Sequence, residues 1–219
     1  MTHRLYETKA LINSAGLVFW DFDGVIKDSV DVKTAAFERL FQPYGPEVAR
    51  RVRQHHEAHC GVSRFDKIPL YLTWAGEPAN PAQVEAFCER FSQAVLQAVI
   101  DSPWVCGVRE YLQQNFSRQY FVLVTATPQE EIEQIIAALG LSRCFREVHG
   151  APTKKSHGIK LVLSRKKCAP PEALMIGDGD TDLQAAQANS VPFLLRCTPL
   201  NLTLQASYSG PMFDHLSDE

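Results

Sequence analysis

Apolar residues along this chain collect into five short runs, and each run ends at small or polar residues. The runs are GLVFWDFDG (16–24), QYFVLVTATP (119–128), FREVHGAP (145–152), EALMIGDGD (172–180) and SVPFLLRC (190–197). Apolar runs with little alternation are typical of strands that are buried on both faces of a parallel sheet. The pattern therefore predicts five parallel strands.

Helical patterns occupy the segments between these runs. In TPQEEIEQIIAALG (127–140) the apolar residues recur every three or four positions. Thr127 is a candidate N-cap, Pro128 suits the first helical position, and Gly140 can end the helix. Strands that alternate with helices in this way predict a doubly wound, Rossmann-like α/β core with a parallel sheet.

The interval between the first two runs is too long for a single crossover helix. Residues 25–118 separate these runs, and much of the interval has helical spacing of apolar residues. We therefore predict that residues 30–102 form an inserted α-helical cap domain. Residues 1–29 and 103–219 would then form the α/β catalytic core.

Candidate chemistry lies where the predicted strands end. Ligands of a doubly wound sheet bind at the carboxyl ends of its strands. Acidic residues stand there in unusual density, namely Asp21, Asp23, Asp178 and Asp182. Carboxylates that lie close together repel each other unless a cation offsets their charge. Oxygen ligands of this kind suit Mg²⁺, so these aspartates are the candidate metal ligands.

The same edge of the sheet carries groups that suit an anion. Thr125 supplies a hydroxyl, and the backbone near Ala126 would open the following helix with its positive end toward the site. Lys154 and Lys155 precede another predicted helix, which is an unfavourable place for a cation unless it neutralises a bound anion. A metal and a phosphate beside a carboxylate indicate phosphoryl transfer.

These residues resemble the four motifs of the haloacid dehalogenase superfamily. DFDGV (21–25) resembles the first motif, and VLVTATP (122–128), with Thr125, resembles the second. Lys155 matches the third motif, and GDGDTD (177–182) is similar to the fourth. The insertion after the first motif is similar to the helical cap of the phosphoglycolate phosphatase and β-phosphoglucomutase group.

The resemblance implies a Mg²⁺-dependent phosphatase that hydrolyses a small phosphorylated metabolite, such as a sugar phosphate or a phosphoglycolate-like compound. Asp21 would attack phosphorus and form an aspartyl-phosphate. Asp23 would protonate the leaving alcohol and then activate water. Thr125 and Lys155 would bind the phosphoryl group. A phosphomutase of the β-phosphoglucomutase type is the alternative enzyme, although those mutases carry a histidine where this chain has Val32 and Lys33. A non-catalytic phosphate-binding relative is a further alternative.

Two features of the inserted segment leave their roles open. GVSRFDKI (61–68) is a glycine-led segment whose Arg64 and Lys67 could face the core and contact the substrate. It could equally be a solvated loop. The nearby His55, His56 and His59 have no further ligand that would complete a metal site, and we interpret them as surface histidines.

Composition and charge limit the classes of partner that we expect for this protein. The formal net charge of −3 disfavours nucleic acid, because a phosphate backbone requires a basic surface. No apolar run approaches the roughly 20 residues that span a bilayer, and the first residues lack a signal-peptide pattern. The six cysteines are scattered and indicate a reducing compartment. We therefore expect a cytoplasmic enzyme without a membrane or nucleic-acid partner, either a monomer or a homodimer.

Overall fold

The computed structural model of the protein describes residues 2–217, and it describes side chains from residue 5 onward. The strands are β1 (Leu17–Trp20), β2 (Tyr120–Pro128), β3 (Glu147–Ala151), β4 (Ala173–Gly177), β5 (Phe193–Arg196) and β6 (Met212–Phe213). The helices are α1 (Thr2–Ser14), α2 (Val30–Phe41), α3 (Pro46–Ala58), α4 (Arg64–Trp74), α5 (Pro81–Asp101), α6 (Val108–Asn115), α7 (Gln129–Ala138), α8 (Lys155–Lys166), α9 (Asp180–Ala188) and α10 (Leu202–Ser207).

The six strands form one parallel sheet in the order β3-β2-β1-β4-β5-β6. This is the strand order of a doubly wound sheet whose first strand lies at the centre. The order confirms the predicted α/β class, and each of the five predicted strands is present. The two-residue strand β6 was not predicted, because so short a pairing has no pattern of its own.

Burial on both faces explains why the strand sequences do not alternate. Val18 and Trp20 of β1 belong to one apolar cluster, and Leu17 and Phe19 belong to the cluster on the opposite face of the sheet. All four side chains are at most 4% exposed. A strand with helices on both faces needs apolar side chains at every position.

Helices α2–α5 follow β1 in the chain, precede α6 and β2 of the core, and form a helical cap. Aromatic rings take part in the packing of these helices, and Phe37 of α2 stacks on Phe91 of α5 with ring centroids 3.8 Å apart. Tyr71 of α4 packs edge-on against Phe37 and Phe41. The helical insertion agrees with the predicted architecture, whereas the limits 30–102 of an independent domain stay a prediction.

The two chain segments that join the cap to the core lie side by side. The backbone N–H of Asp28 donates to the carbonyl of Pro103 at 2.9 Å. The buried Lys27 donates from Nζ to the carbonyl of Ile100 at 2.9 Å and lies 4.4 Å from the centroid of the Trp104 ring. The loop that carries Asp23 is therefore tied to the exit of the last cap helix.

The predicted start of α7 is wrong by one residue. Strand β2 continues through Pro128, which pairs with Ala151 of β3, and α7 begins at Gln129. Thr127 does not cap the helix, because its hydroxyl bonds to Asp23 and Lys33 instead. None of the helices in residues 2–217 combines the length and the apolar character that a membrane span requires.

Candidate active site

Three carboxylates meet at the carboxyl ends of two neighbouring strands. Asp21 follows β1, Asp178 follows β4, and Asp182 lies in the first turn of α9. Their oxygen atoms lie within 4.8 Å of one another. Since β1 and β4 are hydrogen-bonded neighbours, the sheet itself brings the first two together. This acid cluster contains three of the four predicted metal ligands.

Lys155 is the cation of this acid cluster. Its Nζ donates to Oδ2 of Asp21 and to Oδ1 of Asp182, at 2.7 Å in both cases. Burial opposes a charged amine, but the two carboxylates raise the pKa of Lys155 above its ordinary value. Lys154 is exposed and forms no ion pair within the described residues. The geometry therefore favours Lys155 over Lys154 as the lysine that faces the site.

A single lysine leaves the cluster with excess negative charge. Burial, together with the charge of Asp182, raises the pKa of Asp21 to about 7. Burial and the charges of Asp21 and Asp182 also raise the pKa of Asp178 well above its ordinary value. Within residues 5–217, no hydrogen-bond donor lies against the carboxylate of Asp178. Hard oxygen ligands with unbalanced charge fit a divalent cation such as Mg²⁺.

The backbone at Gly24 permits this arrangement. Gly24 has a φ of +74°, and a Cβ at this position would lie 2.0 Å from Oδ2 of Asp178. A residue with a side chain would be strained and would also displace the carboxylate. The glycine after the second aspartate is therefore part of the geometry of the acid cluster.

Asp23 lies beside the acid cluster in a different environment. Its carboxylate accepts hydrogen bonds from Ser29 Oγ at 2.5 Å, Lys33 Nζ at 2.5 Å and Thr127 Oγ1 at 3.2 Å. Burial alone would raise the pKa of Asp23, but Lys33 and these hydroxyl groups lower it overall. The side chain of Asp23 is thus not among the carboxylates that the structure brings together around the possible metal.

Lys33 is the residue at this site that the sequence reasoning missed. It lies on α2, and besides Asp23 its Nζ donates to Thr127 Oγ1 at 2.8 Å. A lysine on the first cap helix, ten residues after Asp23, was the available signal. Its role could not be assigned without knowing that α2 packs its first turns against the end of β2.

Thr125 and Ala126 lie at the inner end of an open cavity. The side chain of Thr125 is buried, and its Oγ1 accepts a hydrogen bond from the backbone N–H of Thr127 at 3.2 Å. Both residues, with Lys155, line a cavity of about 510 Å³ between the core and the cap. Because α7 begins later than expected, the amide of Ala126 belongs to β2 and not to a helix N-terminus.

The segment 61–68 is not a solvated loop. Ser63 caps α4, and the side chains of Arg64 and Lys67 on its first turn are buried. Gly61 packs against the core so closely that a Cβ there would lie 1.8 Å from Thr181 Oγ1. The solvated-loop alternative is therefore wrong, and this cap segment faces the core.

The charged groups of Arg64 and Lys67 are nevertheless satisfied by protein groups. Arg64 donates to both carboxylate oxygens of Glu131 on α7, at 2.7 and 2.6 Å, and so joins cap to core. Lys67 Nζ lies 2.8 Å from Nδ1 of His56. His56 is 3% exposed, so its interpretation as a surface histidine is wrong. Neither cation lines the cavity at Thr125.

Comparison with known proteins gives a matching family model and several similar proteins. Residues 18–195 match the family model described as haloacid dehalogenase-like hydrolase. The chain is 32% identical to a phosphoglycolate phosphatase of Pectobacterium atrosepticum, over 79% of this chain and 76% of that protein. It is 28% identical to phosphoglycolate phosphatase 1 of Pseudomonas aeruginosa, over 84% and 68% of the two chains. The structure of CbbY from Rhodobacter sphaeroides in complex with phosphate has the same fold, with a TM-score of 0.74, 13% identity and coverage of 92% and 95%.

The close approach of Gly24 to Asp178 can be tested with one pair of variants. Gly24→Ala is expected to weaken Mg²⁺ binding and lower phosphatase activity, because the added Cβ displaces Asp178. Gly76→Ala is the matched control, since Gly76 has the same φ of +74° and no heavy atom within 4 Å of an added Cβ. Calorimetric titration with Mg²⁺ measures the effect. Equal losses in both variants would contradict the steric argument, because backbone strain at a positive φ would then be enough to explain the effect.

The buried ion pair between cap and core makes a second prediction. Glu131→Ala leaves the Arg64 guanidinium buried without its carboxylate and is expected to lower the free energy of unfolding by about 3–5 kcal/mol. Arg64→Met combined with Glu131→Met removes both charges and is expected to cost much less. Urea denaturation of the single and double variants measures both values. The single variants Arg64→Met and Glu131→Met complete the cycle, and losses that add up to that of the double variant would show that the pair is not coupled.

Proposed function

Since this chain belongs to the haloacid dehalogenase-like hydrolase family and is similar to proteins named phosphoglycolate phosphatase, we propose that it is a Mg²⁺-dependent phosphatase. The proposed reaction passes through an aspartyl-phosphate intermediate. The observation that supports it most is the division between two aspartates. Asp21 lies in the acid cluster with Lys155, whereas Asp23 is held apart by Lys33. This difference in surroundings supports attack by one carboxylate and proton transfer by the other.

Asp21 is the proposed nucleophile. Its Oδ1 accepts the backbone N–H of Phe22 at 2.7 Å, and its Oδ2 accepts Lys155 Nζ, so the carboxylate has a defined orientation. Attack on phosphorus would form the aspartyl-phosphate and release the alcohol. Lys155 would then offset the charge of the phosphoryl oxygens, and Thr125 and Ala126 would bind them from the end of β2.

Asp23 is the proposed general acid and base. It would donate a proton to the leaving alcohol in the first step and accept one from water in the second. Ser29, Lys33 and Thr127 orient its carboxylate. The charge of Lys33 stabilises the ionised form, which is the form that activates water.

Asp21 and Asp178 are the proposed direct ligands of Mg²⁺. The cation would supply charge stabilisation to the phosphoryl group and would offset the repulsion within the acid cluster. Asp182 accepts Lys155 Nζ and the backbone N–H of Gly179, so we propose that it orients its neighbours. The carboxylate of Asp23 is occupied by other donors, so a metal contact through it is not part of this proposal.

The substrate proposed is a small phosphorylated metabolite, in the class of sugar phosphates and phosphoglycolate. Support comes from the names of the relatives, which include a phosphorylated carbohydrates phosphatase of Thermotoga maritima at 23% identity.

Arg64 and Lys67 stay predicted substrate contacts, although each would have to exchange a protein partner for the substrate. Cytoplasmic location and a monomeric or homodimeric state also stay predictions. A mutase would release no phosphate, so an assay of phosphate release distinguishes the proposed phosphatase from the phosphomutase alternative.

Substitution of the two aspartates tests their division of roles. Asp21→Asn is expected to abolish turnover, because an amide is not a competent nucleophile. Asp23→Asn is expected to slow turnover by roughly 10²–10⁴-fold. Phosphate release is measured on p-nitrophenyl phosphate and on a panel of sugar phosphates and phosphoglycolate, with circular dichroism as the control for folding. Substantial activity of Asp21→Asn would remove Asp21 from its proposed role.

Metal dependence is the next prediction. Activity is expected to require Mg²⁺, to be lost in EDTA and to be supported poorly by Ca²⁺, which prefers higher and looser coordination. Because the pKa of Asp21 is raised to about 7 without metal, Mg²⁺ must displace protons from the acid cluster. Affinity for Mg²⁺ should therefore rise between pH 6 and pH 8. Titrations in two buffers with different ionisation enthalpies would reveal the released protons, and full activity after chelation would rule out the metal role.

A further inference from the structure

The position of Asp178 depends on its backbone, because within residues 5–217 no hydrogen-bond donor contacts its carboxylate. The carboxylate packs directly against Gly24, where an added Cβ would lie 2.0 Å from Oδ2. Asp178 and Gly24 lie in loops that follow different strands, β4 and β1. The groups that fix the backbone of these two loops therefore determine where the proposed metal ligand lies.

Asn201, just before α10, bonds directly to the backbone of Asp178. Its Nδ2 donates to the carbonyl of Asp178 at 2.7 Å and to the carbonyl of Arg196 at 2.8 Å. Its Oδ1 accepts the backbone N–H of Thr198 at 2.9 Å and Nε2 of Gln205 at 2.6 Å. A primary amide has two donor hydrogens and two lone pairs, so these four bonds use its full capacity.

This set of partners permits one orientation of the Asn201 amide. With Oδ1 and Nδ2 exchanged, the oxygen would face two carbonyl groups and the nitrogen would face the N–H of Thr198. All of these contacts would be repulsive, so Nδ2 faces the carbonyls of Asp178 and Arg196. The side chain thus ties the first residue after β4 to the last residue of β5, in addition to the pairing of the two strands.

Arg196 connects the end of β5 to the loop that carries Gly24. Its Nη1 donates to the carbonyl of Gly24 at 3.2 Å, and its guanidinium forms two hydrogen bonds with the carboxylate of Asp28, at 2.6 and 3.3 Å. Arg196 is buried, and β4 lies between β5 and β1 in the sheet. The side chain therefore links the loops of two strands that do not pair with each other.

We propose that Asn201 and Arg196 are positioning residues of the metal site. Asn201 fixes the backbone of Asp178, and Arg196 fixes the backbone of Gly24. Together they set the distance between the carboxylate of Asp178 and the surface against which it packs, and they act through this ligand and not by contact with the ion. The inference rests on the proposed Mg²⁺-dependent phosphatase and adds two residues that the four sequence motifs do not include.

Asn201→Ala and Arg196→Met remove the two contacts and are each expected to lower the affinity for Mg²⁺ by about 10–100-fold, the range for partners that orient metal ligands. Calorimetric titration with Mg²⁺, without substrate, measures the affinity. Hydrolysis of p-nitrophenyl phosphate is expected to need correspondingly more Mg²⁺ and to return toward the wild-type kcat at saturating Mg²⁺. A residue that only maintains the fold would not separate metal affinity from kcat in this way.

Gln205→Ala is the matched control for Asn201→Ala. Gln205 donates to Asn201 Oδ1 and to the carbonyl of Thr198, so it belongs to the same loop, but its loss leaves the bond from Asn201 to Asp178 in place. The control is expected to keep the wild-type affinity for Mg²⁺. Equal losses of affinity in the two variants would overturn the inference, because folding of the loop would then explain both.

Asp28→Ala is the matched control for Arg196→Met. It removes the ion pair of Arg196 and leaves the hydrogen bond to the carbonyl of Gly24. Affinity for Mg²⁺ is expected to stay close to the wild-type value. A loss as large as that of Arg196→Met would assign the effect to the ion pair and would overturn the role of the Gly24 contact.

Asn201→Asp is a second variant that preserves more of the loop, since its carboxylate keeps both acceptor contacts and loses both donors. Its added negative charge would by itself attract Mg²⁺, so a lower affinity in this variant must come from lost positioning. Circular dichroism verifies that each variant is folded.

Two readouts separate failure of this inference from failure of the proposed function. Wild-type affinity for Mg²⁺ in Asn201→Asp and Arg196→Met would overturn the inference and leave the phosphatase standing. A lower kcat at saturating Mg²⁺ with unchanged affinity would also overturn it. Absence of hydrolysis by a wild type that binds Mg²⁺ would overturn the proposed function, while the affinities of the variants would still decide the positioning roles. A wild type that binds no Mg²⁺ would overturn both.

Discussion

The burial of three carboxylates beside one lysine is the constraint on which the candidate site depends. Removing ionised groups from water is costly unless opposite charge and hydrogen bonds compensate. Lys155 compensates part of the charge of Asp21 and Asp182, and Asp178 has no hydrogen-bond donor among the described residues. Burial and the negative charge that Lys155 does not compensate raise the pKa of Asp21 and of Asp178. A bound cation would stabilise a site with this excess of negative charge. The same cation would favour the binding of a phosphate ester, which is itself negatively charged.

Backbone geometry keeps the carboxylates close despite their repulsion. A Cβ on Gly24 would collide with Asp178, and a Cβ on Gly177 would lie 2.3 Å from the Cβ of Asp182. Parallel pairing of β1 with β4 then holds the two loops in register.

The cap is joined to this centre by polar as well as apolar contacts. Arg64 binds Glu131 across the interface, and Lys33 reaches from α2 to Asp23 and Thr127. Because Lys33 lowers the pKa of Asp23, the position of α2 affects the protonation of the proposed acid and base.

The sequence by itself determined the α/β class, the helical insertion and the set of polar residues at the strand ends. It could do so because apolar runs indicate doubly buried strands, and parallel strands bring their carboxyl ends to one edge. It did not determine the end of β2, which depends on pairing with β3, nor the partners of the cap residues. Arg64 and Glu131 are 67 positions apart, and Lys33 and Thr127 are 94 apart. Which cation meets which carboxylate over such separations depends on how the cap helices pack on the core, and local periodicity carries no information about that packing.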